Sequence, residues 1–462
     1  MRTYILVVCL LTGITTSAQG VKNKLLQALQ TFEADPQMRN AIIGFYVINN
    51  KTGETVINKN GSIGLAGAST QKVITSATIY ETLGTDYRYK TELAHDGNID
   101  KGVLNGNLYL IGSGDPSIGS WRYTATKENL VLNNWLKAIK DAGITKINGK
   151  VIVYDKNWES QTTPGGWIWD DMGNYYGAGA SGFNWRENQY DLNFKTGKTG
   201  DTVKILGTEP MLYGNSFINE ITAGKEGSGD NAYIYRAPAQ STAVVRGTIP
   251  PHKNTFTISG SMAAPAYQLS HTLSTMLSQK GFGENLAGND MQGEMVPAKL
   301  PAKLKVIHTY LSPAMDSLNY WFLKKSVNLY GEAFLKTLGA QKNSQGTTKG
   351  GVEFIKNFWK TKGIEETALR MQDGSGLSPQ NRLTPEALVK VMQFAKGRHW
   401  FNAFHDGLPV ISGLRMKSGT IGGAKSFTGY SGDYIFAIIV NNYSGSAGDI
   451  QKKMWRVLDE LK

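Results

Sequence analysis

Leu65-Ala66-Gly67-Ala68-Ser69-Thr70-Gln71-Lys72 is the stretch on which the reading of this chain turns. It opens a helical pattern that runs from Ser69 to about Leu83. Positions i and i+3 of a helix share a face, so Lys72 can reach the Ser69 hydroxyl. A free serine is a poor nucleophile, and a neighbouring amine can take its proton if desolvation keeps that amine neutral. A serine at the start of a helix also has backbone N–H groups aimed at a developing oxyanion. Alone, the spacing arises often by chance.

Two later stretches supply what such a serine needs. Ser326-Val327-Asn328 lies between the helical patterns Asp316–Lys325 and Leu329–Leu338. A turn there presents a hydroxyl that can relay a proton and an amide that can hold a substrate carbonyl. The same two side chains can equally cap a helix. Ser317-Leu318-Asn319 has the same form but falls within a helical pattern. Lys417-Ser418-Gly419-Thr420 ends an alternating apolar run, and a strand edge there can pair with an extended peptide while Lys417 and Ser418 meet a terminal carboxylate. Literal Lys-Thr-Gly triplets at 51–53, 195–197 and 198–200 sit in polar, turn-like settings and read as solvated loops.

Outward from these points the chain divides. A helix is expected over Val21–Phe32, then strands over Ala41–Ile48 and Glu54–Asn58 around the turn Asn49-Asn50-Lys51-Thr52-Gly53. From Tyr87 to Leu300 the sequence is rich in Gly, Asn, Thr and Ser with short β-type runs, which reads as a largely β insertion. Helices return at Tyr267–Gln279, Asp316–Lys325, Leu329–Leu338, Gly351–Lys362 and Pro385–Lys396. Strands Leu414–Ser418 and Tyr434–Asn441 and a helix over Asp449–Leu461 close the chain. Helices around strands from both chain ends make an α/β fold, with an antiparallel sheet because short turns join the late strands.

Arg2, the apolar run Tyr4–Ile14 and Thr16-Ser17-Ala18 have the layout of a secretory signal peptide, expected over residues 1–18. Cys9 is the single cysteine and lies inside that run, so the mature chain has no disulfide, thiolate metal site or cysteine nucleophile. A net charge of +12, spread along the chain, favours anionic partners such as wall polymers or membrane headgroups. No zinc-finger spacing, RNA-binding aromatic signature or dense Arg/Lys stripe points to nucleic acid. Gly-x-Ser-x-Gly, His-Glu-x-x-His and phosphate-loop motifs are missing, and no metal or cofactor is expected.

Ser-x-x-Lys, Ser-x-Asn and Lys-Ser/Thr-Gly in this chain order are shared by penicillin-binding proteins and class A β-lactamases. The chain further resembles the low-molecular-mass class C penicillin-binding proteins, the D-Ala-D-Ala carboxypeptidase/endopeptidase family. Beyond the triplets, the resembling segments are Leu108–Ser117 (LYLIGSGDPS), Lys324–Glu332 (KKSVNLYGE), Asp373–Ser378 (DGSGLS) and Leu414–Gly419 (LRMKSG). The separation of Ser69 from Ser326 far exceeds what a compact β-lactamase needs, and this family places a large insertion there. Two departures stand out: Lys417-Ser418-Gly419 replaces the usual Lys-Thr-Gly, and Val327 stands where Asp is common.

The resemblance implies a DD-peptidase/β-lactamase-like transpeptidase fold, an antiparallel sheet flanked by helices plus a helical subdomain. Residues 19–86 and 301–462 would form it, with 87–300 inserted as two subdomains. Ser69 is implied as nucleophile and Lys72 as its proton acceptor, with Ser326 passing the proton to the leaving D-alanine. Asn328 would position the substrate amide, and Lys417 and Ser418 the terminal carboxylate. The N–H groups of Ser69 and Thr420 would form the oxyanion hole beside Gly419. Asp171 and Tyr176, an acid and an aromatic five positions apart, match the family's grip on the amino-bearing end of a diaminopimelate stem; a surface turn with packed aromatics explains them equally. The implied substrate is the peptidoglycan stem peptide, and β-lactams are covalent inhibitors of an exported enzyme of the periplasm or wall. A penicillin-sensing or wall-binding protein with little turnover, and a β-lactamase, are the alternatives.

Overall fold

The structure is a computed structural model that describes residues 20–343 and 345–462; the expected export leader lies outside the described residues. The chain forms two compact units. One takes the described residues up to Gly84, then Asn319–Ser326 and Val352–Lys462; the other takes Thr85–Leu318 and Val327–Gly351.

The first unit is built on a six-stranded sheet. Its strands are β1 (Ile42–Asn49), β2 (Thr55–Lys59), β3 (Val410–Ile411), β4 (Leu414–Ile421), β5 (Ala424–Ser431) and β6 (Tyr434–Asn441), in the order β3-β4-β5-β6-β1-β2. Every pair is antiparallel, as the short turns between the late strands require. β1 and β6, from opposite ends of the chain, lie side by side with Phe45 opposite Ile438 and Val47 opposite Phe436. β6 is buried along its whole interior and β1 over most of its length, because both sheet faces are covered. On one face, Leu25, Leu29 and Phe32 of the helix at residues 20–33 (α1) join Ile450, Met454 and Val457 of the last helix, Ala447–Asp459, over Phe45, Val47, Phe436 and Ile438. The spacing of Leu25, Leu29 and Phe32 makes the single apolar stripe that such a covering helix needs.

The other face carries the helix Pro385–Lys396, which packs on β6, β1 and the helix Lys72–Leu83 (α2). α2 is buried along Lys72–Tyr80, as a helix enclosed on all sides must be. The first turn of the serine segment, Ala68–Gln71, is a tight 3-10 turn that rests on β4 and β5. It brings the earliest motif against the latest.

The second unit holds a four-stranded sheet ordered Lys305–Leu311, Lys90–His95, Leu108–Ile111, Val151–Tyr154, together with three three-stranded sheets. The strand Lys305–Leu311 lies past the expected boundary at residue 300. It pairs antiparallel with Lys90–His95, which keeps this stretch with the inserted segment. The inserted segment also contains a 14-residue helix, Glu128–Asp141, that its Gly- and Asn-rich setting concealed. Val131, Leu132, Trp135, Ala138 and Ile139 form its buried face. These positions follow the helical period, so the signal was present and the average composition outweighed it.

Candidate active site

The serine turn is tied down on both sides before the chemistry begins. Leu65 exchanges main-chain hydrogen bonds with Leu383, and the Asn441 side chain both accepts from Ala66 N and donates to Ala66 O. The Gly67 carbonyl accepts from Ser426 Oγ at 2.5 Å and from Thr70 Oγ1 at 2.6 Å. Ala68, the next residue, has φ +46°, a left-handed conformation rare outside glycine. A strained residue next to a serine, held by so many contacts, marks a position whose geometry is enforced. Ser69 itself is half-buried and follows in the 3-10 turn.

Lys72 is the first residue of α2 and is fully buried. Its Nζ lies 2.9 Å from Ser69 Oγ and 2.7 Å from the Ser375 carbonyl, with the Phe322 ring centre at 5.7 Å. The i, i+3 relation expected from sequence is therefore realised by a 3-10 turn that joins a helix.

β4 carries Lys417, Ser418, Gly419 and Thr420 past this turn. A side chain on Gly419 would strike the Gly67 carbonyl and Ser426 Oγ and would come within 2.9 Å of Ser69 N, so only glycine lets strand and serine turn approach. Lys417 is buried and its Nζ donates to the Ser418 carbonyl at 2.8 Å. Burial, reinforced by the neighbouring Lys72 and Lys425 side chains, holds the Lys417 amine well below the ordinary lysine value. β3 pairs only with Leu414 and Arg415, so among the described residues the edge of β4 from Lys417 onward has no strand partner.

The segment Asp373–Ser378 shows only a family resemblance in its sequence, yet it sets the position of Lys72. Buried Asp373 Oδ1 accepts from Gln71 Nε2, Gly376 N and Asn381 Nδ2 at 2.8–2.9 Å, and Oδ2 accepts from Ser378 N at 2.6 Å. The loop is thereby folded around one carboxylate, and Gly374 O and Ser375 O turn toward Thr75 and Lys72. Gly376 has φ +84°, and a methyl there would overlap the Ala68 carbonyl. A fixed carboxylate three residues before a Gly at positive φ leaves no motif that a single sequence reveals.

Ser326 belongs to the same unit as Ser69 and follows the helix Met315–Lys324 with φ +58°, again outside the usual range. In the second unit Asn328 begins the helix Asn328–Ala340, and its Nδ2 donates to the Tyr176 carbonyl at 2.8 Å. The Tyr176 hydroxyl and the Asp171 carboxylate are neighbours, and each shifts the titration of the other. Burial raises the Asp171 carboxyl above its usual range, with the Tyr176 hydroxyl opposing and Asp170 adding to the rise. Asp171, Tyr176 and Asn328, matched on unequal grounds in the sequence, thus form one continuous chain of contacts. Among the described residues no group of three His, Cys, Asp or Glu is placed to hold a metal ion.

Comparison with known proteins extends these observations to the whole chain. Residues 25–461 match the model of the D-Ala-D-Ala carboxypeptidase 3 (S13) family. The chain is 24% identical over 467 aligned positions to a D-alanyl-D-alanine carboxypeptidase of Actinomadura sp. (strain R39), covering 93% of this chain and 83% of the relative. It is 22% identical to the D-alanyl-D-alanine carboxypeptidase DacB of Haemophilus influenzae, over 90% and 88% of the two chains. The crystal structure of penicillin binding protein 4 (dacB) from H. influenzae superposes with a TM-score of 0.77 at 20% identity, covering 92% of this chain and 97% of that one. The same protein complexed with a β-lactam gives a TM-score of 0.71. The α/β fold is thus that of a type-4 penicillin-binding protein, and with a family match from the first helix to the last, this chain belongs to the D-Ala-D-Ala carboxypeptidase 3 (S13) family.

Proposed function

We propose that the protein is a serine D-alanyl-D-alanine carboxypeptidase/endopeptidase that cuts peptidoglycan stem peptides through an acyl-enzyme on Ser69, the hydroxyl that β-lactams also acylate. The observation that carries this reading is the fully buried Lys72 amine at 2.9 Å from Ser69 Oγ, braced by the Ser375 carbonyl. Ser69 Oγ bonds to the carbonyl carbon of the penultimate D-alanine, and its proton passes to the Lys72 amine. The carbonyl oxygen becomes an oxyanion held by the N–H groups of Ser69 and Thr420. The C–N bond breaks as Ser326 relays the proton held by Lys72 to the departing D-alanine nitrogen, and water then splits the ester and restores Ser69.

Asn328 orients the substrate amide, and Lys417 with Ser418 receives the terminal carboxylate. Asp171 and Tyr176 take the amino-bearing end of the third stem residue; their proximity and the link of Tyr176 O to Asn328 support that role. Residues 1–18 act as an export leader, so the enzyme works beyond the inner membrane, in the periplasm or wall, and its positive charge keeps it near wall polymers or the membrane surface.

The test is intact-protein mass after incubation with a penicillin, for the protein and for Ser69→Ala. One penicilloyl adduct on the protein and none on Ser69→Ala is the expected result, followed by D-alanine release from a D-Ala-D-Ala peptide. An unmodified protein would overturn the reading, and rapid loss of the adduct as hydrolysed penicillin accumulates would make the protein a β-lactamase.

A further inference from the structure

Beside the expected carboxylate-binding residues stands a cation that none of the three motifs contains. Lys425, the second residue of β5, lies directly opposite Thr420 of β4. The turn Gly422-Gly423 joins the pair Ile421 and Ala424, so its two-residue length fixes the register that sets Lys425 against Thr420. Opposed residues share a sheet face, and so do residues two apart on one strand. Ser418, Thr420 and Lys425 therefore form one row.

Lys425 is only 7% exposed, and its Nζ donates to Thr420 Oγ1 at 2.7 Å with the Phe427 ring centre at 5.4 Å. Among the described residues no carboxylate pairs with it. A buried cation with only a neutral partner is costly, and an anion offered to it relieves that cost. Burial pulls the Lys425 amine below its ordinary value, as it does for Lys417.

The hydrogen-bond inventory decides what this does to Thr420. An ammonium only donates, so Thr420 Oγ1 is the acceptor in the pair. The hydroxyl has one proton, and that proton remains for a third group. Thr420 is exposed on a strand edge that has no strand partner, so its hydroxyl meets whatever lies along that edge.

We propose that Lys425 is a positioning residue for anion recognition: it holds the Thr420 hydroxyl as a donor, and the row Ser418–Thr420–Lys425 reads the terminal carboxylate of the acyl donor. This rests on the acyl-enzyme reading of Ser69. The test compares acylation by a penicillin and by its carboxylate methyl ester, followed by intact mass. Lys425→Met should slow penicillin at least about tenfold, the scale of a lost charged hydrogen bond, and leave the ester within about twofold. Lys425→Arg should recover part of the loss. Because Lys425 acts through Thr420, Lys425→Met combined with Thr420→Val should be little slower than the slower single variant. Equal slowing of acid and ester, or no slowing of the acid, overturns the proposal. Binding of the acid and C-terminal amide forms of a D-Ala-D-Ala peptide to Ser69→Ala reads the same discrimination without acylation. Failure of the Ser69 chemistry and failure of Lys425 recognition are thereby separated.

Discussion

Asp115 shows how far a single buried side chain can set a pH dependence. It lies in the resembling segment Leu108–Ser117, is 2% exposed, and has Oδ1 bonded to Ser117 N and Oγ at 2.8 and 2.6 Å. Its Oδ2 is buried without a hydrogen-bond partner among the described residues. Desolvation outweighs the Ser117 bonds and raises the carboxyl from 3.8 to about 6. The folded state then binds the proton more tightly than the unfolded chain does. Its contribution to stability is full below the unfolded value of about 4, declines as pH rises to about 6, and is constant beyond. Asp115→Asn removes this slope. Above pH 7 the variant should be the more stable, by about 2–3 kcal/mol if the neutral amide keeps the Ser117 contacts, with the advantage gone near pH 4. Thermal unfolding of both proteins from pH 4 to 8 measures the difference, and parallel curves would refute the assignment.

At the scale of elements, a second buried carboxylate joins parts of the second unit that are far apart in sequence. Glu187 is fully buried in a turn where Arg186, Glu187 and Asn188 all have φ near +53°. Its carboxylate accepts from Ser120 Oγ at 2.7 Å, from Arg122 Nε and Nη2 at 2.7 and 3.0 Å, and from the Tyr330 hydroxyl at 3.0 Å. Tyr330 stands two residues after Asn328, so this network fixes the helix on which Asn328 sits. Glu187→Ala should destabilise the protein by about 3–5 kcal/mol because Ser120, Arg122 and Tyr330 lose the buried carboxylate that they share. Adding Arg122→Met should cost much less than the sum of the two single changes. Denaturant unfolding of the four proteins gives that coupling, and additive losses would deny the pairing. Nothing local announces this network: Glu187 sits in a polar stretch, and its partners lie 67 residues before it and 143 after it. The helix Glu128–Asp141 was readable by its period and hidden only by composition.

At the scale of the whole molecule, 49 basic against 37 acidic residues leave a net charge of +12 with no basic tail to concentrate it. Diffuse charge acts through long-range fields that salt removes. Co-sedimentation with purified, anionic cell walls should therefore fall by at least half between about 20 and 300 mM salt, beyond the Debye length that screens such fields. Salt-insensitive binding would instead point to a specific contact. The sequence determined the antiparallel α/β core, since the strands of β1 and β6 are marked by their apolar runs and their turns by Gly and Asn. It also determined the three motifs, because i, i+3 spacing and strand alternation are local rules that residues obey wherever the chain goes. Only the tertiary structure decided where the inserted segment ends, since Lys305–Leu311 is claimed by hydrogen bonds to Lys90–His95, more than 200 residues away. It alone decided that Asp373 folds the loop that braces Lys72, and that Lys425 stands over Thr420 with no counter-charge among the described residues. Each of these depends on which groups are buried together, and burial is a property of the folded chain rather than of any window of sequence.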